Sequence, residues 1–465
     1  MSLRDSAMRS LPSLLIGCAA GFSGDRVDAA GPVVDTLIAR LDGVPANGRA
    51  FLIFETLAER TLALAQLRKR ADAQAGYEPL LEDMLGPVLA RCLAHGIRIV
   101  SNFGAANPEG AARHILRMAA RLGLRKPRIA VVKGDDVSGA QHAGMLAEYL
   151  GEQYDPSSIV SANAYLGSEQ IRDALDHGAE IVVCGRVADP SLTVGPAMSY
   201  FGWQADDWDR IGRATMAGHL LECGAQVCGG YYADPGYKDV PGLEQVGFPV
   251  AEIDEDGHCI IGKSDGTGGL VDEATVIEQL LYEVHDPAAY LTPDVVADIS
   301  QAEVRRVADN QVRLTGVRGH PRPAAYKVNV CLEGGWLAEG EISYAGPRAE
   351  ARARLAAEVV CKRLADLRIR TDLIGHVSIF GDDAGRLLAG APAGDGEDVR
   401  LRLAAHAVTR QDAMRLTREV TALYCCGPAG GGGVRTTLTP RLDMVSCLLP
   451  RDLVRAGFEM VDADV

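Results

Sequence analysis

Several short segments of this sequence place a proton-holding or charge-holding group directly after an apolar run. They are Gly17-Cys18-Ala19-Ala20-Gly21-Phe22-Ser23-Gly24-Asp25-Arg26, Glu55-Thr56, Asn102-Phe103-Gly104-Ala105-Ala106-Asn107, Gly134-Asp135-Asp136 and Cys184-Gly185-Arg186-Val187-Ala188-Asp189. Chemistry on a carboxylate or acyl group needs an acid, a base and something to hold an anion. Glu55, Asp135, Asp136 and Asp189 offer the first two, with Glu55 or Asp135 the choice for the base. Arg186 offers the third, because its planar fork suits carboxylate and phosphate. Gly24, Asp25 and Asn102 complete the expected set as binding residues. The first loop can be read in two ways: as backbone N–H groups presented to an anion at a helix start, or as a tight turn capped by Ser23 or Asp25.

Other motifs narrow the chemistry. The glycines Gly17, Gly21 and Gly24 do not have the spacing of a dinucleotide fingerprint, so no redox cofactor is expected. Gly427-Pro428-Ala429-Gly430-Gly431-Gly432-Gly433 lacks the Lys-Ser/Thr of a phosphate-binding loop. It reads either as a flexible connector or as a loop that brings backbone close to a ligand. In the second case Gly430, Gly431 and Gly432 would bind substrate, with Arg435 holding a carboxylate or phosphate. Ser264 to Gly269 is a second glycine-rich turn. His219 and Cys223 lie four apart on one predicted helix, with Glu222 and Cys228. No second ligand pair has diagnostic spacing, so a packed helix face is the simpler reading and no metal is expected. Cys18 and Cys184 stand where a nucleophile could stand, though buried cysteine is commoner than reactive cysteine. Neither a zinc-protease helix motif nor a nucleophile elbow is present.

These groups need a scaffold that brings them to one place. Leu14–Ala19, Ala50–Phe54, Ile97–Ser101, Arg128–Lys133, Ile159–Ala164 and Glu180–Cys184 read as strands buried on both faces. Helical patterns lie between them at Val33–Leu41, Tyr77–Ala94, Gly110–Leu122, Gln141–Leu150 and Glu169–Asp176. This alternation predicts an α/β fold, a doubly wound and mostly parallel sheet whose strand ends share one side. Gly24, Asp25, Glu55, Asn102, Asp135 and Arg186 should therefore converge on one cleft, with Arg186 solvated in it. Past Gly202 a long helix is predicted over Asp206–Val227, then a hairpin around Asp254-Glu255-Asp256-Gly257. A boundary near Gly269 gives domains of 1–270 and 271–465, the second an α+β layer domain. Its expected elements are strands Tyr326–Leu332 and Leu337–Tyr344 hinged at Gly334-Gly335, and a helix from Pro347 to Leu367. Strands at Leu373–Phe380 and Val399–Val408, a helix Gln411–Leu423 and a strand Val434–Leu448 follow, with Ala389–Asp398 as a loop. The glycine-rich segment after Cys426 is expected to close the cleft from this domain.

Composition limits the partners. The 465 residues are 47% hydrophobic with a net charge of −15. Arg68-Lys69-Arg70 is an isolated basic run, so nucleic acid is not an expected partner. No apolar stretch is long enough for a membrane span, and Leu11–Gly21 reads as a buried strand rather than a leader. Eleven scattered cysteines fit reduced thiols in a cytoplasmic protein.

Ile16 to Asp25, Phe54-Glu55-Thr56-Leu57-Ala58-Glu59, Ser101 to Pro108 and Cys184 to Ser191 resemble motifs of the acyclic terpene utilisation (AtuA) family. Ser264–Gly269 and Gly427–Gly433 resemble its later motifs, so the resemblance spans Leu14 to Pro450. It implies a catabolic role on citronellol- and geraniol-type skeletons or other branched acids, through acyl-CoA thioesters. It supplies no assigned catalytic residues. Some relatives carry a further C-terminal domain, so a separate small subunit is expected, and the chain is expected to act as a homo-oligomer. Two readings of function follow: a cofactor-independent hydratase or lyase on a branched or unsaturated carboxylate or its thioester, and a non-catalytic binding or assembly subunit. Clustered carboxyls with proton affinities pushed apart would favour the enzyme.

Overall fold

The computed structural model describes residues 12–461 except 44, 47, 140, 141, 152–154, 378–383 and 393–397. Six strands open the chain: β1 (Leu14–Cys18), β2 (Ala50–Phe54), β3 (Arg98–Ser101), β4 (Ile129–Lys133), β5 (Ile159–Ala164) and β6 (Ile181–Cys184). Five of them pair in parallel in the order β1-β2-β3-β6-β4. Both faces of β1 and β2 are buried along their whole length, which is why they read as unbroken apolar runs. The amphipathic helices Ala30–Arg40, Leu81–His95 and Pro108–Arg121 pack on this core through Val33, Leu37, Leu85, Val88 and Ile115.

The sixth strand departs from expectation. β5 does not join the parallel sheet but pairs with a strand at Ala325–Ala345. An apolar run shows that a strand is buried, not which neighbour it takes.

The parallel core extends on both sides with antiparallel strands. β7 (Pro249–Ile253) lies against β1 and turns into β8 (Cys259–Lys263) at the expected Asp254–Gly257 hairpin. A three-stranded sheet contains β9 (Tyr290–Leu291) and β10 (Val296–Asp298). β11 (Glu303–Ala308) and β12 (Gln311–Thr315) continue the large sheet beyond β8, and β13 (Arg318–His320) pairs with β10. At the other edge β18 (Gly457–Met460) runs antiparallel to β4. The result is a ten-stranded mixed sheet with additional antiparallel sheets.

Two compact units result. One comprises the chain up to Cys331 together with the segment from Met444 onward; the other is Leu332–Asp443. The predicted boundary near Gly269 falls inside the first unit, because β11 and β12 bond to β8 within the same sheet.

β14 (Ala325–Ala345) begins in the first unit and belongs to the second from Leu332, where β16 (Asp398–Ala407) pairs antiparallel with both β14 and β15 (Ile369–Ile374). Helices Ala349–Arg363 and Arg410–Cys426 contribute Ala353, Val360, Leu416 and Val420 to the core of the second unit. β17 (Gly431–Pro450) runs beside β14. The hairpin predicted at Gly334-Gly335 is absent, and β14 passes through as one strand. Gly335 adopts φ 76° there, where a Cβ would lie 2.5 Å from the Ala407 carbonyl oxygen, so these glycines serve a kink and a close approach. The strand expected over Leu373–Phe380 ends at Ile374 and partly lies outside the described residues, as do Gln141 and half of the Ala389–Asp398 loop. The long helix expected over Asp206–Val227 is Trp208–Glu222, followed by a tighter turn over Gly224–Cys228 with Gly224 at φ 56°. Among the described residues no helix is long and apolar enough to cross a membrane.

Candidate functional site

The first unit contains a cavity of about 1000 Å³ bordered by several strand-end loops. Asp25, Glu55, Arg186 and Asp189 line it. The parallel order explains why: β2 and β6 both belong to the central sheet, so the loops that follow them leave on the same side.

Glu55 follows β2 and is 6% exposed. Its Oε1 accepts from Leu57 N at 2.8 Å and from Asn102 Nδ2 at 2.8 Å. The Asn102 amide is fixed in turn, its Oδ1 accepting from Thr56 N at 2.8 Å. Asn102 thus binds Glu55 rather than facing the cavity as an independent group. Burial holds the Glu55 carboxyl well above the usual range; Asp189 adds to this and Arg186 opposes it.

Arg186 is 1% exposed, so the expectation of a solvated arginine does not hold. Its Nε donates to Val187 O at 2.8 Å, and its Nη groups donate to Leu57 O, Val187 O and Asp189. The guanidinium also lies over the Tyr165 ring, 4.4 Å from the centroid. Most of its fork is therefore spent on internal acceptors, which joins the loop after β6 to the loop after β2. Burial lowers its proton affinity, but Asp189, Tyr165 and Glu55 more than offset that.

Asp135, at the end of β4, stands behind this arginine. Its Oδ2 accepts from Arg186 N at 2.9 Å and from Asn163 Nδ2 at 2.9 Å. Gly185 makes the approach possible, since a Cβ there would sit 2.7 Å from the Asp135 carboxylate. Burial raises the Asp135 carboxyl to about 6, against the pull of those two bonds. At the end of β1, Gly24 takes φ 117°, and Asp25 accepts from Gly21 N and Arg26 N, each at 2.8 Å. Burial raises the Asp25 carboxyl in spite of these bonds.

Gly430, Gly431, Gly432 and Arg435 lie in the second unit at the start of β17, where Arg352 Nη1 donates to Ala429 O at 2.8 Å. Ser264 belongs to the first unit and braces a turn through Phe248 N and Thr267. Cys18 and Cys184 are fully buried, and burial pushes the Cys18 thiol up to about 12. Burial raises the Cys184 thiol in the same way.

Other lining residues escaped the sequence reading. Glu59 receives the Tyr165 hydroxyl and lies 3.3 Å from Lys327 Nζ. Burial raises its carboxyl, but these partners and Arg186 bring it down to about 2. Glu222 and Glu283 bring the carboxyls on the wall to six, facing two cations, Arg186 and Lys327. Tyr231, Tyr282, Tyr290, Leu57, Leu291 and Leu448 supply apolar surface. Glu59 could have been suspected from its place four residues after Glu55. Tyr165, Lys327 and Tyr290 carry no local signal, because they reach the site from the end of β5, from β14 and from β9. His219 Nδ1 lies 2.9 Å from Glu222 Oε1. Among the described residues no three His, Cys, Asp or Glu side chains cluster as a metal ion requires.

Chemically, this is a deep cavity with apolar walls and carboxyls of opposed proton affinity. Glu59 is held ionised, while Glu55, Asp189 and Glu222 are held toward the protonated form. The family model for acyclic terpene utilisation family protein AtuA matches residues 14–460, and the chain belongs to that family. No curated protein and no solved structure matches it.

Proposed function

Starting from that membership, we propose that the chain is a hydratase or lyase of acyclic-terpene or branched-acid breakdown. It adds or removes water across a carbon–carbon double bond next to an acyl group, carried as a carboxylate or thioester. In the dehydration direction a base takes the proton α to the carbonyl. An acid protonates the β-hydroxyl, water leaves and the double bond forms. The reaction is redox-neutral and needs no electron carrier.

The observation that carries this reading is Glu55: a buried carboxyl on the cavity wall, kept above its ordinary proton affinity and locked in orientation by Asn102 and Leu57 N. A carboxyl whose proton affinity is raised above the ordinary range is suited to exchanging a proton with carbon. Glu55 is assigned that transfer. Asp189 fixes the Arg186 guanidinium beside it, and Asp135 fixes the Arg186 backbone. The apolar walls suit a branched acyl chain, and the volume is that of a small-molecule site.

The test is a panel of β-methyl-branched α,β-unsaturated acids and their CoA thioesters, incubated with the full chain and followed by proton NMR for water addition. Conversion of at least one member is expected, with Glu55→Gln slower by about 100-fold or more. If a ligand stabilises wild type and Glu55→Gln equally and neither converts it, the chain is a binding protein instead.

A further inference from the structure

Water addition needs two proton-transfer groups, and the loops after the parallel strands supply one that is free to act. Asp189 is tied to Arg186 and Glu59 to Tyr165 and Lys327. The helix Trp208–Glu222 delivers another carboxyl to the same cavity at its last residue. Glu222 is 9% exposed, and its Oε2 has no hydrogen-bond partner among the described residues, while Oε1 lies 2.9 Å from His219 Nδ1. His219 is 1% exposed, and its Nε2 also lacks a partner among the described residues. Buried polar atoms left unsatisfied are costly, and a purely structural pair would avoid them.

We propose that Glu222, held by His219, is the second proton-transfer group of this cavity and acts on the oxygen of the water that is added or lost. The inference rests on the reading of the cavity as a hydratase or lyase site. Glu222 is then a catalytic residue and His219 a positioning residue. In dehydration Glu55 takes the α-proton, Glu222 gives its proton to the β-hydroxyl and water departs. The proton on Glu55 returns to Glu222 through solvent, so the enzyme ends as it began.

The surroundings fit the assignment. Burial raises the Glu222 carboxyl to about 7, and Asp189 and Glu283 push it the same way, against His219. Burial lowers His219, but the Glu222 charge and hydrogen bond outweigh it, so the pair retains a proton above the usual range. Tyr290 lies 3.5 Å from His219 Nδ1 on the neighbouring strand, and Gln279 donates to the His219 carbonyl from the helix Glu273–Leu281. Cys223 completes the titratable groups around the pair, its thiol raised by burial and by Glu222.

The test separates proton transfer at carbon from transfer at oxygen. Wild type, Glu55→Gln, Glu222→Gln and His219→Gln are assayed on the β-methyl enoyl-CoA panel in deuterium oxide. Water addition is read on the enoyl thioesters and deuterium exchange at the α-carbon on the corresponding β-hydroxyacyl thioesters, and a ligand-induced melting shift checks that each variant folds and binds. Glu222→Gln is expected to slow water addition about 100-fold with KM little changed, and to slow α-carbon exchange far less. His219→Gln should slow water addition by a smaller factor and move the limb of its pH profile that reports Glu222. Glu55→Gln should lose both readouts. If Glu222→Gln adds water at the wild-type rate while Glu55→Gln is inactive, the inference fails and the hydratase reading stands. If wild type converts no member of the panel, both fail together.

Discussion

Replacing Arg186 by alanine tests the account at its most tightly bonded point. The side chain is 1% exposed and gives its donors to Leu57 O, Val187 O and Asp189. Alanine strands two buried carbonyls and removes the partner of a carboxylate. Breaking a buried ion pair from one side costs about 3–5 kcal/mol, and an unsatisfied buried acceptor about 1–3. These losses do not simply add, because Asp189 keeps 34% side-chain exposure and can take water in place of the guanidinium. A net cost of about 3–5 kcal/mol is therefore expected, or a melting point lower by about 6–10 °C at roughly 2 °C per kcal/mol for a unit of this size. The loss should be read from tryptophan fluorescence in a Trp336→Phe background, where Trp203 and Trp208 report the first unit alone. Arg186→Lys should fall between the two, since an ammonium cannot span the same acceptors. A melting point within about 1 °C of the parent, on the same scale, would refute the reasoning and return Arg186 to the role of a solvated anion anchor.

Asp135 gives a pH-dependent expectation. Its carboxyl rises from 3.8 unfolded to about 6 folded, so the folded state prefers the proton, and stability is lost as pH rises through that window. Asp135→Asn retains an acceptor for Arg186 N and Asn163, so urea titrations should show the variant gaining about 3 kcal/mol on wild type between acid and neutral pH; a pH-independent difference would contradict this. Thiol labelling of the native protein at mildly alkaline pH should modify the exposed Cys425 and Cys426 first and leave Cys18 and Cys184 protected; rapid labelling of Cys18 or Cys184 would show a reactive site thiol that burial should prevent.

The parts of the site that could be read in advance are those that local pattern dictates. Parallel strands buried on both faces write themselves as apolar runs, and their ends must share a side. That rule places Gly24, Asp25, Glu55, Asn102, Asp135 and Arg186 at one cleft; Asp25, Glu55 and Arg186 line the cavity, whereas Gly24, Asn102 and Asp135 are not among its lining residues. The state of Arg186 could not be read this way, because a strand-end arginine looks the same in sequence whether it faces water or the carbonyls of a neighbouring loop. Nor could the pairing of β5, whose run Ile159–Ala164 resembles those of its neighbours but bonds to a strand more than 150 residues later. Glu222 shows the same limit from the other side: its helix position suggests a packed face with His219, and only the tertiary structure brings it among the residues that line the cavity. The Gly334-Gly335 pair was read as a turn because glycine doublets usually make hairpins, whereas here they let one long strand bend beside its neighbour.

The site turns on the Glu55 carboxyl, whose proton affinity burial raises well above that of an ordinary glutamate. The direct measurement is a pH titration of carboxyl carbon signals in protein labelled at glutamate, with Glu55→Gln identifying the Glu55 resonance. This signal should stay at its protonated position to a pH well above the ordinary value of 4.5. A Glu55 signal that titrates at or below 4.5, like a surface glutamate, would contradict it.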